Sequence, residues 1–367
     1  MIFLINCSNL RQGGGIQVAD SFCSYLNKYK EHHFIVVLST AMKHTGDKIE
    51  SYDNVELHYY DLGKSIKNTI TLNDTYLDGL VSKKKCDAVL TVFGPSRWKP
   101  AVHHLCGFAR AHILPMNTPY FDNLSWKERL VNYLVKKSFG RSAENYWTEN
   151  PAVSDLLQKV FPKKKIFTVS NTYNQVFDDK KQWKQHLLPK YDGVSLLTVT
   201  NAYPHKNLNI ALEILNEFRG THPDFKIRFV FTIDEKEYQP VPSEFKDNFC
   251  FTGKVDITEC PSLYEQSDIM FQPTLLECFT ATYAEAMRMG VPIVTTNLSF
   301  ARGLCGDAAL YYSPMSAKEA SEIIYKLAND TQLRDKLIAK GNEVLKGFDS
   351  SETRADKLVS LLESIVK

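Results

Sequence analysis

Short apolar runs, each too brief for a buried helix and rich in β-branched or aromatic residues, recur along the chain and alternate with longer amphipathic segments. Runs of this kind suit strands of a parallel sheet, buried on both faces, and the alternation predicts an α/β fold. In the first half the expected strands are 2–6, 34–39, 55–60, 88–93, 146–148 and 166–169. In the second half they are 195–200, 227–232, 248–252, 269–271 and 293–296. Helices are expected at 18–28, 126–141, 151–158, 208–218, 262–266, 281–289, 316–326, 331–345 and 353–366. A polar, lysine-rich crossing separates the two series, so the chain divides into 1–175, a linker at 176–193, 194–347 and a last helical segment, 348–367. The total of 367 residues agrees with two domains. Single cores rarely grow past about 300 residues.

Composition removes several classes. Hydrophobic residues at 44% and charged residues at 23% are ordinary for a globular chain. The eight cysteines form no C-x-x-C pair, which speaks against a zinc site and a disulfide scaffold and fits a reducing cytosol. MIFLIN reads as a first strand and not a signal peptide, and no apolar run reaches the length of a membrane span. The net charge of +2 hides a division: residues 1–170 hold 22 Lys plus Arg against 15 Asp plus Glu, the remainder 22 against 27. A basic first half is compatible with anionic lipid or a diphosphate-linked acceptor, or is merely solvated. Nucleic acid fits less well, since no base-reading module is present.

The richest stretch is 268–314. An apolar strand runs into a loop with Glu277, Cys278, Phe279 and Thr280, then a helix, then Gly290, Pro292 and another strand. Such units bind ligands outside the carboxyl ends of the strands, where a helix start offers free N–H groups to phosphate. Were Glu277 and Glu285 on one helix they would lie roughly 80° apart, so they read as two contacts, one before the helix and one inside it. Each carboxylate can accept from a pair of sugar hydroxyls; each can equally be a loop or surface acid. Lys206, before helix 208–218, is within reach of a phosphate at the strand ends or is a solvated turn residue. Gly13, Gly14 and Gly15 after the first strand can cradle a phosphate or an acceptor hydroxyl, or form a plain turn, but match neither G-x-G-x-x-G nor a P-loop. His103 and His104 would point oppositely on a strand and lack a third ligand, so no metal site is expected.

Glu277 and Glu285 with seven residues between them, followed by Ala286-Met287, Gly290-Val291-Pro292-Ile293-Val294 and Gly306-Asp307-Ala308-Ala309, resemble the E-x7-E signature of retaining GT-B glycosyltransferases of family 4. The resemblance implies two Rossmann-like α/β/α domains facing each other across a cleft. It implies transfer of a sugar from a nucleotide sugar, UDP-linked more than GDP-linked, with no metal or other cofactor. Glu285 would hold the ribose, Glu277 the transferred sugar, and Phe279, Thr280, Ala281 and Thr282 the amide cradle. Gly14 and Gly15 match a Gly-Gly loop near donor diphosphate and acceptor. HLCGF matches a His-Gly element facing the donor sugar, through His104 or, by position, Cys106; His104 is preferred. The Asn201 to Lys206 turn precedes the helix where the family grips diphosphate, and Gly253 lies in an F-x-G-x-V element that frames the base. The chain departs from the pattern where glycine would follow the first Glu, and no arginine lies in 198–205; Arg228 is the candidate replacement.

The implied acceptor is a saccharide or a lipid-diphosphate-linked saccharide of cell-surface polysaccharide or O-antigen synthesis. The implied location is cytoplasmic, with peripheral contact to an anionic membrane through the basic first half. A nucleotide-sugar-binding protein without transferase activity, and a GT-B sugar-nucleotide epimerase, are the competing readings.

Overall fold

The computed structural model describes residues 1–11, 13–63 and 66–367. By their contacts they form two units. The first comprises Met1–Pro115, Leu124–Asn171 and Asp349–Lys367, the second Met116–Asn123 and Thr172–Phe348.

The first unit is built on a seven-stranded parallel sheet of β1 (Ile2–Cys7), β2 (His33–Leu38), β3 (Val55–Tyr59), β4 (Ala88–Thr91), β5 (His103–Gly107), β6 (Asn145–Thr148) and β7 (Lys165–Thr168). The order is β3-β2-β1-β4-β5-β6-β7. The central strand β1 is apolar on both faces: Phe3, Leu4 and Ile5 have no exposed surface, and Ile5 pairs with Val36 on one side and Leu90 on the other. β5, not expected from the pattern, begins with two histidines, which masked an otherwise apolar run.

The second unit carries a six-stranded parallel sheet of β8 (Val194–Thr198), β9 (Ile227–Phe231), β10 (Phe249–Phe251), β11 (Ile269–Gln272), β12 (Ile293–Thr296) and β13 (Ala309–Tyr312). Its order is β10-β9-β8-β11-β12-β13. Both sheets therefore have a Rossmann-like order that reverses direction beside the first strand, at β1/β4 and at β8/β11. Helices on both faces supply the apolar clusters, for instance Ile210, Ile214, Phe218, Ile324 and Leu327 against Phe229 and Phe271.

Two expectations need correction. The segment 176–193 is no free linker: Trp183 Nε1 donates to Val176 (2.7 Å), Lys184 N to Thr258 (2.9 Å) and Leu188 N to Gln266 (3.0 Å), so it is a strap on the second unit. Its polar composition reflects one solvated side. The first helix is Gly14–Cys23, starting earlier than the weak helix propensity of glycine suggested.

The last helix, Ser351–Val366, starts from a Ser350 cap that accepts from Thr353 N (3.0 Å) and packs Ala355, Leu358, Val359 and Leu362 into the core of the first unit. Arg354, 2% exposed, donates to Asn171 and Ser21 beside the buried Glu149. Burial outweighs these neighbours and pushes the Glu149 carboxyl up to about 7. Because Leu358 is fully buried, Leu358→Ala is expected to destabilise the first unit by about 2 to 5 kcal/mol in denaturant unfolding. A loss below about 1 kcal/mol would show that the helix is only laid on the unit.

Candidate functional site

The site grows out of the reversal of strand order in the second sheet. Chains leaving β8 and β11 diverge to opposite faces, so the ends of these neighbouring strands open a crevice that their own helices do not fill. After β8 the chain makes a short turn, Pro204–Lys206, closed by Asn207 in the left-handed region (φ +52°). After β11 it runs through Thr274 to Glu277. The two loops are bonded together: Leu275 N donates to His205 O (2.7 Å), and Thr274 Oγ1 donates to the same carbonyl (3.3 Å) and to Glu277 Oε1 (3.2 Å). Lys206 Nζ closes the lace by donating to Glu277 Oε1. The side chains of Lys206 and Glu277 are 14% and 13% exposed. That leaves enough contact with water for a ligand to reach them and little enough for the pair to be well shielded.

The helix Ala281–Arg288 begins just beyond. Its N-cap, Thr280, makes no side-chain cap; the hydroxyl is bonded to Thr282 Oγ1 instead (2.9 Å), and among the described residues the first-turn amides have no side-chain acceptor. Such amides, with the positive end of the helix dipole, form a seat for phosphate. Phe279, Thr280 and Ala281 around them are half-buried, and Thr282 is 8% exposed.

Glu285 lies in the second turn of this helix and is buried, so it is no surface acid. Residues 282–287 are all buried, because the small alanines let the helix press its whole width inward. Tyr264 Oη, itself buried, donates to Glu285 Oε2 (3.0 Å) and to Thr282 O (3.3 Å). Desolvation outweighs that bond and raises the Glu285 carboxyl to about 7. A carboxylate kept partly dry, with one oriented donor, has strong reason to take hydroxyl donors from a ligand.

The remaining candidates divide. Asn201, exposed, and Gly253 (φ +71°) follow β8 and β10 and so sit at the carboxyl end of the parallel strands, as Lys206 does. Glycine adopts that left-handed conformation without strain. In the first unit, Gly13 (φ +79°) caps the helix whose first turn holds Gly14 and Gly15; a Cβ at Gly15 would meet Leu10 at 3.3 Å. These glycines follow β1 at the reversal point of their own sheet, again with no side-chain cap.

His104 is not brought to any ligand-accessible surface. It is 1% exposed inside β5, its Nδ1 donates to Ser142 O (2.6 Å), and its Nε2 accepts from Thr91 Oγ1 (2.9 Å). Burial lowers its pKa to about 4, so it is a neutral structural residue with both nitrogens occupied. Cys106, the positional alternative, is also fully buried. Arg228 is likewise withdrawn as the replacement arginine. It is the second residue of β9, near the opposite edge of the sheet, donating to Ser195 Oγ (2.9 Å) and Pro189 O (2.6 Å).

Sequence reasoning missed Tyr264, which no motif marks, and residues 116–123, which join the second unit. There Thr118 Oγ1 donates to Leu275 O (2.8 Å), and the Tyr120 ring lies edge-on to His205 (6.0 Å). Among the described residues one group has the types and closeness to hold a metal ion: Glu31, His32 and Glu363 of the first unit. His32 precedes β2, at the sheet edge opposite the glycine turn, and its Nε2 bonds Glu363 (2.7 Å), which makes it a pin for the last helix.

Residues 179–344 match the family described as Glycosyl transferases group 1. An uncharacterized glycosyltransferase of Haemophilus influenzae is 24% identical over 174 residues, 47% of this chain and 47% of that protein, so the chain spans about half the length of the curated relative it matches. Among solved structures, a sucrose-phosphate synthase from Thermosynechococcus elongatus superposes with a TM-score of 0.72 at 15% identity, covering 99% of this chain and 98% of the other. The Anabaena protein HepE, solved with UDP and glucose, gives 0.67 at 12% identity, covering 99% of each. At these identities the likeness establishes the fold: two Rossmann-like α/β domains of the GT-B type.

The buried carboxyl makes a prediction about pH. A carboxyl raised to about 7 in the folded state binds a proton there that the unfolded chain has already released. Its contribution to stability therefore falls as pH rises from about 4.5 to 7 and is constant above. Between those limits Glu285 should cost up to about 3 kcal/mol. Glu285→Gln removes that loss. Denaturant unfolding of both proteins across this range should show the variant gaining on the parent as pH rises; parallel curves would contradict the burial of this charge.

Proposed function

We propose that the chain transfers a sugar from a nucleotide sugar to an acceptor hydroxyl, with retention of anomeric configuration and without a metal ion. The observation that carries this reading is the gathering of Lys206, Glu277, an uncapped helix start and Glu285 at the strand-reversal point of the second sheet, inside the region that matches Glycosyl transferases group 1. Each group has a use. The amides of the Thr280 to Thr282 turn and Lys206 receive the diphosphate. Glu285 accepts from the ribose hydroxyls, and Glu277 accepts from the sugar while Lys206 holds it in place. Gly253 and Asn201 border the nucleotide. Gly14 and Gly15, in the first unit, are the proposed amides for the acceptor side.

The chemistry then asks little covalent work of the protein. Charge develops on the leaving diphosphate, and oriented donors already in place stabilise it there at no reorganisation cost. The acceptor hydroxyl approaches from the side the diphosphate leaves, and a phosphate oxygen takes its proton. With Arg228 committed elsewhere, the side-chain charge for this step comes from Lys206. A UDP-linked donor is favoured over a GDP-linked one by the UDP and glucose in the HepE structure. For the acceptor we propose a saccharide, free or lipid-diphosphate-linked, of cell-surface polysaccharide synthesis, reached at the cytoplasmic face of the membrane. No helix among the described residues is long and apolar enough to cross a membrane, so the contact we propose is peripheral.

The reading is tested by incubating the chain with UDP- and GDP-sugars, with and without saccharide acceptors, and measuring nucleotide release and product anomer in EDTA. Release from no donor would leave a binding protein as the better account, and an inverted anomer would remove the retaining mechanism.

The pairing in the site adds a quantitative expectation. Lys206→Ala should lower kcat by about 30- to 1000-fold, the worth of one preorganised donor to developing charge. Lys206 and Glu277 are bonded. The double variant Lys206→Ala/Glu277→Gln should therefore fall short of the product of the single effects by about 0.5 to 3 kcal/mol of coupling. A Lys206→Ala protein within threefold of the parent would refute the assignment, and strict additivity would show that the pair does not persist in the working state.

A further inference from the structure

The helix Trp126–Ser142 of the first unit has a face for which the fold has no use. It buries Val135, Ser138, Phe139 and Ser142, which at about 100° per residue fall on one side of the axis. On the opposite side lie Trp126, Leu130, Tyr133 and Lys137. Trp126 is 70% exposed, Leu130 48% and Tyr133 53%. Exposed apolar residues are usual on a protein surface when scattered singly; a run of them on two turns of one helix is not. In the first two turns, through Val131, every residue is exposed.

Charge accompanies this apolar strip. Lys127, Arg129, Lys136, Lys137 and Arg141 lie along and beside it, and the one acid of the helix, Glu128, is folded back into a capping box with Ser125 (2.6 and 2.8 Å). Two of these cations sit over the aromatic rings, Lys127 5.7 Å from Trp126 and Lys137 5.2 Å from Tyr133. At the far end of the strip Tyr133, Gly140 and Phe161 wall a cleft of about 350 Å³ rimmed by Lys136, Lys137 and Arg141. Ile70, 52% exposed, whose carbonyl accepts from Arg141 (3.0 Å), extends the apolar area.

We propose that this face docks the chain on an anionic lipid bilayer. Trp126, Leu130 and Tyr133 enter the boundary between headgroups and acyl chains, and Lys136, Lys137 and Arg141 receive lipid phosphates around the cleft. Tryptophan and tyrosine favour that boundary because one part of each ring is apolar and another polar, and each Lys or Arg near an anionic surface adds attraction. Nucleic acid would satisfy the cations but leave Trp126 and Leu130 without an apolar partner. A second copy would set the same cations against each other, which disfavours an isologous pair. The proposal makes specific the membrane contact suggested above, yet its test contains no sugar donor, so its failure and that of the transferase reading are separable.

The full chain is sedimented with phosphatidylcholine vesicles, with and without phosphatidylglycerol, at low and high salt. Binding should require phosphatidylglycerol and weaken with salt. Lys136→Ala/Lys137→Ala should lower the partition coefficient on the order of 25-fold, about fivefold per cation. Trp126→Ser/Leu130→Ser should lower it by roughly tenfold or more, the worth of withdrawing two large apolar side chains from lipid. All four residues are exposed, so both variants should keep the parent's circular dichroism. Absence of binding to anionic vesicles, or equal binding by parent and variants, would overturn the proposal. So would a concentration-dependent dimer, or RNA binding, that these substitutions abolish while vesicle binding persists.

Discussion

Everything proposed for the second unit depends on one constraint, the reversal of strand order at β8/β11. Right-handed crossovers send the chain from β8 to one face of the sheet and the chain from β11 to the other. The crevice between them is a consequence of that handedness, before any side chain is specified. The side chains then hold it in shape: a backbone bond from Leu275 to His205 and the Lys206–Glu277 pair join the two loops across the gap. A shielded ion pair of this kind is a poor way to gain stability, since desolvation consumes most of the attraction. It is a good way to keep a cation and an acceptor oriented in a partly dry site, where both act more strongly on a ligand than they would in water.

The two glutamates illustrate how environment separates chemically identical groups. Glu277 sits in a loop against a cation, and Glu285 is pressed into the unit with a single phenol for company. Burial alone raises the second towards neutrality. A ligand that brings hydroxyl donors to Glu285 supplies what burial took away, so binding and ionisation are coupled there. Glu149 in the first unit is raised to a similar degree beside Arg354, where the purpose is to hold the last helix.

Much of the fold was legible because parallel strands are continuous apolar runs, and the E-x7-E stretch was legible because a loop acid, a helix acid and glycine stops occur at fixed intervals. What escaped did so for physical reasons. β5 starts with two histidines, one of which turns inward and loses its charge to burial, so polarity misrepresented a core strand and a ligand role was assigned to a structural residue. The segment 176–193 has a linker's composition but is bonded backbone to side chain along the second unit, a relation no local pattern expresses. Burial of Glu285 and its bond to Tyr264 join positions 21 apart through tertiary packing. The helix Trp126–Ser142 was expected as one of the amphipathic segments; which of its apolar residues face water emerged only once the buried side was known.

The central claim is that the first turn of the helix Ala281–Arg288, together with Glu285, forms the nucleotide seat. Hydrogen exchange read by mass spectrometry on the full chain, with and without saturating UDP, examines those amides themselves. Uncapped first-turn amides should exchange quickly in the free chain and slow several-fold with UDP in peptides spanning 278–286, and Glu285→Gln should need more UDP for the same protection. Protection that appears elsewhere, with these peptides unchanged at saturation, would contradict the account.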